Sequence, residues 1–265
     1  MVRRIAYDAG QITLKYFDDI DGYDVATKSD GSPVSLADRE AEALIKKSLH
    51  DLLPGVPMIG EEATEAGDVP DLDQQPYFWL VDALDGTKEF ISGGDEFTVN
   101  IALMHHHQPV LGVVYAPAKG VCYTGHAPGS AMRWNEDTKK EKSIKVRRPP
   151  DEGLIVVASV RHGDAGQMND FLEQFKIQKV IKRGSSLKIC AVAEGKADLY
   201  PRFGPTSFWD TAAGHAVLNA AGGIMTDDHG QALPYKPDGL NFLNPSFIAA
   251  SFDCFAEASE INQSI

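Results

Sequence analysis

The apolar run Phe78-Trp-Leu-Val81 stops abruptly at Asp82-Ala-Leu-Asp-Gly-Thr87. Consecutive large apolar residues bounded by a turn signal read as a strand buried on both faces. Such a strand must leave the core somewhere, and here it leaves through two carboxylates, a glycine and a hydroxyl. Asp82 sits at the exit and Asp85 one tight turn later, so their oxygens can converge. Gly86 permits close backbone approach, and the N–H groups that follow can cradle an anion, most readily if Thr87 opens a short helix through Glu89 and Phe90. Hard oxygen ligands beside such N–H groups suit a divalent cation holding a phosphate. The competing reading is a turn whose Asp side chains only accept backbone N–H bonds. Gly86 and Thr87 weigh against it.

The rest of the chain alternates helix and strand signals. From Ser35 to about Leu53, Ala37, Ala41, Leu44, Ile45, Leu49 and Leu52 share one helical face. Pro54-Gly55 ends that pattern, and Ser35 with Asp38 resembles a capping box. An earlier helix is expected around Ile5 to Phe17, followed by a polar loop or flap from Asp21 to Pro33. Ala63 to Gln75 reads as a polar connection. Thr98 to Met104 and Val110 to Tyr115 predict antiparallel strands joined at His105-His-His-Gln-Pro109, with further strands at Val121 to Thr124 and Ile144 to Val146.

The charged, proline-bearing stretch Asn135 to Glu152 marks the expected boundary between an N-terminal lobe, 1–150, and a C-terminal lobe, 151–265. In the second lobe the pattern predicts a strand at Leu154 to Ala158, helices at Gln167 to Phe175 and at Ser186 to Glu194, and a strand at Ala197 to Tyr200. A helix from Trp209 to Ala221, closed by Gly222-Gly223, and short strands near Ile224 and Phe247 complete it. This alternation predicts an α/β (α+β) fold of layered sheets covered by helices.

A formal net charge of −13 disfavours nucleic-acid polymers and anionic membranes as partners. It does not exclude a small anionic substrate, because bound cations reverse the local potential. The apolar runs are only strand-sized and no N-terminal segment reads as a signal, so neither a transmembrane span nor cleavage is expected. The expected location is the cytoplasm, with peripheral association at the inner membrane left open. Cys122, Cys190 and Cys254 are far apart in apolar surroundings and read as reduced core residues.

Other carboxylates are ambiguous. Glu61-Glu62 follows Met58-Ile59-Gly60, a strand-end position, yet acidic pairs in loops are usually solvated. Asp210 opens a small-residue helix, where the helix dipole favours a carboxylate in any case. Asp38, expected in a first helical turn, carries the same ambiguity. His105-His-His107 reads as a solvated turn.

Taken together, Gly60-Glu-Glu62, Trp79-Leu-Val-Asp-Ala-Leu-Asp-Gly-Thr-Lys-Glu-Phe90 and Trp209-Asp-Thr-Ala-Ala-Gly214 resemble the signatures of the inositol monophosphatase superfamily. The similarity continues through Phe97-Thr-Val-Asn-Ile-Ala102, Leu111-Gly-Val-Val-Tyr-Ala-Pro117, Gly184-Ser-Ser-Leu-Lys188 and Ala193-Glu-Gly-Lys-Ala-Asp-Leu-Tyr-Pro-Arg-Phe-Gly-Pro205. Within the superfamily it lies nearest the CysQ branch of 3'(2'),5'-bisphosphate nucleotidases. The resemblance implies a layered αβαβα sandwich of the inositol monophosphatase and fructose-1,6-bisphosphatase type. It also implies two or three Mg²⁺ ions held by Glu61, Asp82, the backbone carbonyl of Leu84, Asp85 and Asp210. Gly86 and Thr87 would bind phosphate, Asp38 and Thr87 would orient the attacking water, and Glu61, Leu84, Asp85 and Asp210 would also contact substrate. Ala83 stands where the superfamily usually has proline. Alanine frees φ of the turn and removes no oxygen ligand.

The implied substrate is a small nucleotide bisphosphate, adenosine 3',5'-bisphosphate, converted to AMP and phosphate as part of sulfate assimilation and with inhibition by lithium. A second phosphate needs further cations, for which Arg161 with His162, and Lys188, are the candidates. Arg161 can grip phosphate bidentately, against the plainer readings of a solvated loop arginine and a helix-face lysine. An inositol or sugar-phosphate phosphatase is the alternative in the same chemistry. A non-catalytic nucleotide sensor is the alternative of another class.

Overall fold

The structure, a computed structural model, describes residues 1–18, 33–72, 74–159 and 165–255. Two helices open the chain, α1 (Val2–Asp18) and α2 (Pro33–Leu52), and β1 (Met58–Gly60) leads directly into the short helix α3 (Glu61–Glu65). Next come β2 (Tyr77–Asp85), α4 (Thr87–Ile91), the hairpin β3 (Thr98–His105) and β4 (Gln108–Ala116), then β5 (Val121–Gly125), β6 (Met132–Asn135) and β7 (Lys140–Ser143). These strands form one sheet in chain order, with β1 parallel to β2 and every later pair antiparallel.

The second half supplies β8 (Leu154–Ser159), α5 (Ala165–Leu172), β9 (Ile177–Arg183), α6 (Leu187–Ala193), β10 (Leu199–Arg202), α7 (Phe208–Ala220), β11 (Ile224–Asp227) and β12 (Phe247–Ala250). Its sheet has the order β11-β12-β10-β8-β9. β8 runs parallel to both β9 and β10, whereas β12 is antiparallel to β10 and β11.

The layering follows from strand alternation. On β2, Trp79 and Val81 pack with Ile5, Ala41, Ile45 and Leu49 of α1 and α2. Phe78 and Leu80 face the other way, into a cluster with α6, α7 and the inner face of the second sheet, including Val217, Ile155 and Phe247. The outer face of that sheet, Leu154, Val156 and Ile248, is covered by Phe171 and Leu172 of α5. The order is therefore α1/α2, first sheet, α6/α7, second sheet, α5: five layers, as the resemblance implied. Phe78, Trp79, Leu80 and Val81 are all buried, and burial of each such side chain contributes about 1.5–3 kcal/mol. β2 is thus anchored from both faces before it reaches its polar end.

Several expectations need correction. α2 begins at Pro33, whose fixed φ suits the first helical position. Ser35 therefore lies inside the helix instead of capping it, and Asp38 falls beyond the first turn, buried at 1% exposure. Ile144 to Val146 forms no strand. Ile144 N–H donates to Ala131 O and Val146 N–H to Ala221 O, so this segment leaves the sheet for the end of α7. The last strands of the first sheet, β6 and β7, lie earlier and are exposed or half-buried, which left no apolar pattern to read. Edge strand β9 went unpredicted for the same reason, since its residues are exposed or half-buried. The helix expected at Gln167 to Phe175 runs from Ala165 to Leu172. Of the three histidines in the turn, His106 is exposed, whereas His105 stacks on Tyr77 and His107 Nδ1 lies 3.2 Å from the Tyr235 carbonyl. Most of the 21–33 segment, like the chain's end, lies outside the described residues.

Candidate active site

β2 stays in register with β3 down to Asp82 and then shifts before Asp85. The irregularity turns the strand end out of the sheet and aims its carboxylates at the second half of the molecule. Leu84 N–H donates to Asp82 Oδ1 at 2.9 Å, and Thr87 Oγ1 donates weakly to Leu84 O at 3.4 Å. Gly86 adopts φ 95°, a left-handed conformation, and a Cβ there would crowd Glu96 O and Phe97 Cα at 3.1 and 3.2 Å. Thr87 then opens α4. The helix start expected at Thr87 is present, and the backbone N–H bond that the competing turn reading called for is present beside it.

Three carboxylates from distant segments converge here. One oxygen each of Glu61 at the start of α3, Asp82 on β2 and Asp210 on α7 lies within 4.8 Å of the others. Asp210 also completes a capping box: its Oδ2 accepts the Ser207 N–H at 2.8 Å. The structural and the functional reading of this residue therefore coexist.

Asp85 stands beside the trio, with Oδ2 accepting from Ser186 N–H at 2.6 Å and from Thr98 Oγ1 and Asn100 Nδ2 at 3.2 Å each. Ser186 Oγ in turn donates to Asp210 O at 2.5 Å and accepts from Asn100 Nδ2 at 3.0 Å. One serine thus ties the Asp85 turn to the Asp210 helix. Asp38 approaches from α2, where the neighbouring Ala37 packs in a cluster with Leu84, Phe90 and Phe97.

The electrostatics are those of a cation site. Asp82 is 1% exposed, and burial first, then repulsion from Glu61, Asp85, Asp210 and Asp38, holds its carboxyl well above the usual carboxylate range. Asp210 is pushed up to about 8, by loss of hydration and then by Asp85, with the Ser207 N–H opposing. Carboxylates crowded in this way repel one another unless a cation lies among them, and all the donors are hard oxygens. The residues present therefore fit a divalent metal.

Beside the carboxylates opens a cleft of about 270 Å³, whose lining includes Asp85, Gly86, Thr87 and Asp210 together with Lys188, Tyr200 and Arg202. Lys188 Nζ lies 5.7 Å from the centroid of the Tyr200 ring. Burial pulls its pKa down, against the attraction of Asp85. The Arg202 guanidinium is oriented by bonds to Gly204 O at 3.1 Å and Pro205 O at 3.0 Å.

Of the residues singled out in the sequence, Glu61, Asp82, Asp85, Gly86, Thr87, Lys188 and Asp210 come together here, with the Leu84 carbonyl beneath Thr87. Arg161 and His162 lie outside the described residues. Sequence reasoning gave no role to Arg202, Tyr200 or Ser186. Arg202 could have been found by the logic that found Asp82, since it ends the apolar strand Leu199-Tyr-Pro-Arg202.

The profile of the inositol monophosphatase family matches residues 2–264. The chain is 47% identical over 248 residues to the 3'(2'),5'-bisphosphate nucleotidase CysQ of Escherichia coli K12, covering 93% of this chain and 96% of that protein. It is 38% identical to the CysQ of Buchnera aphidicola, over 94% of this chain and 91% of the relative. The crystal structure of CysQ from Bacteroides thetaiotaomicron superposes with a TM-score of 0.79 at 34% identity, covering 94% of this chain and 95% of that one. An inositol monophosphatase from Zymomonas mobilis shares the fold, with a TM-score of 0.73 at 23% identity over 99% of this chain and 97% of the other. Motifs, five-layer architecture and near full-length similarity agree, and the chain belongs to the inositol monophosphatase family.

Proposed function

We propose that this protein is a metal-dependent phosphatase that hydrolyses adenosine 3',5'-bisphosphate to AMP and phosphate. The observation that carries the reading is the two-sided cleft, in which the carboxylate cluster adjoins a pocket holding Lys188, Arg202 and the Tyr200 ring. A phosphate monoester beside a second phosphate needs charge neutralisation at two points, and this cleft offers both. The 47% identity to a protein named as a 3'(2'),5'-bisphosphate nucleotidase supports a substrate of that class.

Glu61, Asp82, Asp85, Asp210 and the Leu84 carbonyl would hold the divalent ions, for which two or three Mg²⁺ is the proposal. When bound, such ions neutralise the phosphoryl oxygens and ease deprotonation of the attacking water. The scissile phosphate lies against the backbone N–H groups that follow Gly86. Thr87 Oγ1 and the Asp38 carboxylate aim the water in line with the leaving oxygen, and Asp38 takes up its proton. Lys188 and Arg202 neutralise the second phosphate, and Arg202 can do so bidentately. Tyr200, fixed between the strands, forms an apolar floor.

Among the described residues no helix is long and apolar enough to cross a membrane. The test is phosphate release from adenosine 3',5'-bisphosphate and from inositol 1-phosphate, with magnesium and with chelator. Turnover that requires magnesium and favours the bisphosphate is expected. Preference for inositol 1-phosphate would overturn the substrate assignment, and tight binding of the bisphosphate without turnover would make the protein a sensor.

A further inference from the structure

Glu61 owes its position to α3, a helix too short to be stable alone. Its N-cap, Gly60, sits in extended backbone at φ −118°, ψ 158° and has no side chain to satisfy the first-turn N–H groups. Those donors are satisfied from elsewhere. Glu42, on α2, accepts the Glu62 N–H through Oε2 and the Ala63 N–H through Oε1, both at 2.9 Å. These are the second and third amides of the helix, the ones an N-cap side chain normally takes. Glu42 is only 5% exposed, and a carboxylate so buried is costly unless hydrogen-bonded. Gly60 completes the fit: the three heavy atoms nearest to a Cβ built there all belong to the Glu42 carboxylate, which it would overlap. The glycine is thus required by the foreign cap.

We propose that Glu42 is the N-cap of α3 supplied in trans by α2, and that through this cap it sets the direction of Glu61 and the affinity of the site for a divalent cation. The inference rests on the metal-site reading above. Glu42 is a positioning residue: it touches the amides on the C-terminal side of Glu61 and is not itself one of the three converging carboxylates.

The test measures Mg²⁺ binding by calorimetry on the full chain, without substrate, alongside thermal melts. In Glu42→Gln, which keeps the volume but offers an N–H₂ group to one of the two amides, the Mg²⁺ dissociation constant rises roughly tenfold. Glu42→Ala weakens binding at least as much. Glu42→Ala combined with Gly60→Ser recovers most of the lost affinity, because the space left by the carboxylate admits a Cβ and the introduced hydroxyl can accept the Ala63 N–H from the extended backbone already present. Recovery without a carboxylate at position 42 separates capping from any effect of charge. A folded Glu42→Gln variant that binds Mg²⁺ within about twofold of wild type overturns the proposal. Failure of the double variant to improve on Glu42→Ala overturns capping as the cause. If the wild-type chain itself binds no Mg²⁺, the metal-site reading falls with it, an outcome distinct from either of these.

Discussion

The acidic wall of the site and the basic wall of the cleft beside it are built differently. The acidic wall is dense and crowded: Glu61, Asp82 and Asp210 lie within 4.8 Å of one another, with Asp85 and Asp38 beside them. Its residues come from both halves of the chain and are held by short bonds to backbone and to each other's supports. The basic wall is sparse. Lys188 and Arg202 come from the second half and line the cleft with Tyr200, Lys188 Nζ lying 5.7 Å from the ring centroid, and Lys88 of the first half also lines it. Crowded carboxylates are relieved either by taking up protons, the direction in which Asp82 and Asp210 are pushed, or by a cation among them, so the first wall fits a metal. Two cations along a pocket can neutralise an anionic group away from the reacting bond, which is the part the proposed function gives to the second wall.

The division is open to direct attack. Asp82→Asn removes the most buried of the three converging carboxylates and is expected to lower kcat/KM on every phosphate ester by about a thousandfold or more. The fold should survive, because the change relieves repulsion in the metal-free site. Activity near wild type would mean that the acidic wall does not hold the essential ion.

His215 serves as a control, since it lies on α7 with Asp210 but faces the core, where its Nδ1 is 3.1 Å from Tyr235 Oη. Burial pushes its pKa down to about 4 from 6.5. The unfolded chain therefore takes up this proton below about pH 6.5 whereas the folded chain resists until about pH 4, so stability is lost as pH falls through that window, by up to roughly 3 kcal/mol. His215→Gln should flatten this acid limb in denaturant titrations between pH 6.5 and 4. An unchanged limb would assign the acid loss to other groups.

Arg202→Ala tests the basic wall. It should cost about 2 kcal/mol, roughly thirtyfold in kcat/KM, on adenosine 3',5'-bisphosphate while sparing adenosine 3'-monophosphate, which lacks the second phosphate. Equal losses on both compounds would erase the distinction between the walls. Ser186→Ala, which cuts the link between the Asp85 and Asp210 segments, should lower the unfolding free energy by about 1 kcal/mol and kcat/KM by about fivefold. A larger catalytic loss would show that the serine also meets substrate.

Much of the first wall was legible in the chain because it depends on local chemistry. A buried strand, a turn that demands glycine at Gly86 and a helix start at Thr87 all occupy one short stretch, and each leaves its own signature in the residue types. Asp210 was ambiguous in the chain, a carboxylate that a helix start favours in any case, and only the family resemblance gave it a ligand's part; that it is the N3 residue of a capped helix came from the structure. The second wall was only partly legible. Lys188 emerged through its motif, but Arg202 depends on which end of β10 faces α7, and β6, β7 and β9 gave little apolar periodicity to read.

The sequence by itself determined that a strand ends in converging carboxylates and that sheets alternate with helices, because burial and turn geometry act over a few residues. Only the tertiary structure decided that α3 is capped by Glu42 from α2, that Ser186 bridges two acidic segments and that Arg202 shares a cleft with Asp85. Those contacts join residues far apart along the chain, and they are fixed by how the layers pack, which no local pattern of residues encodes.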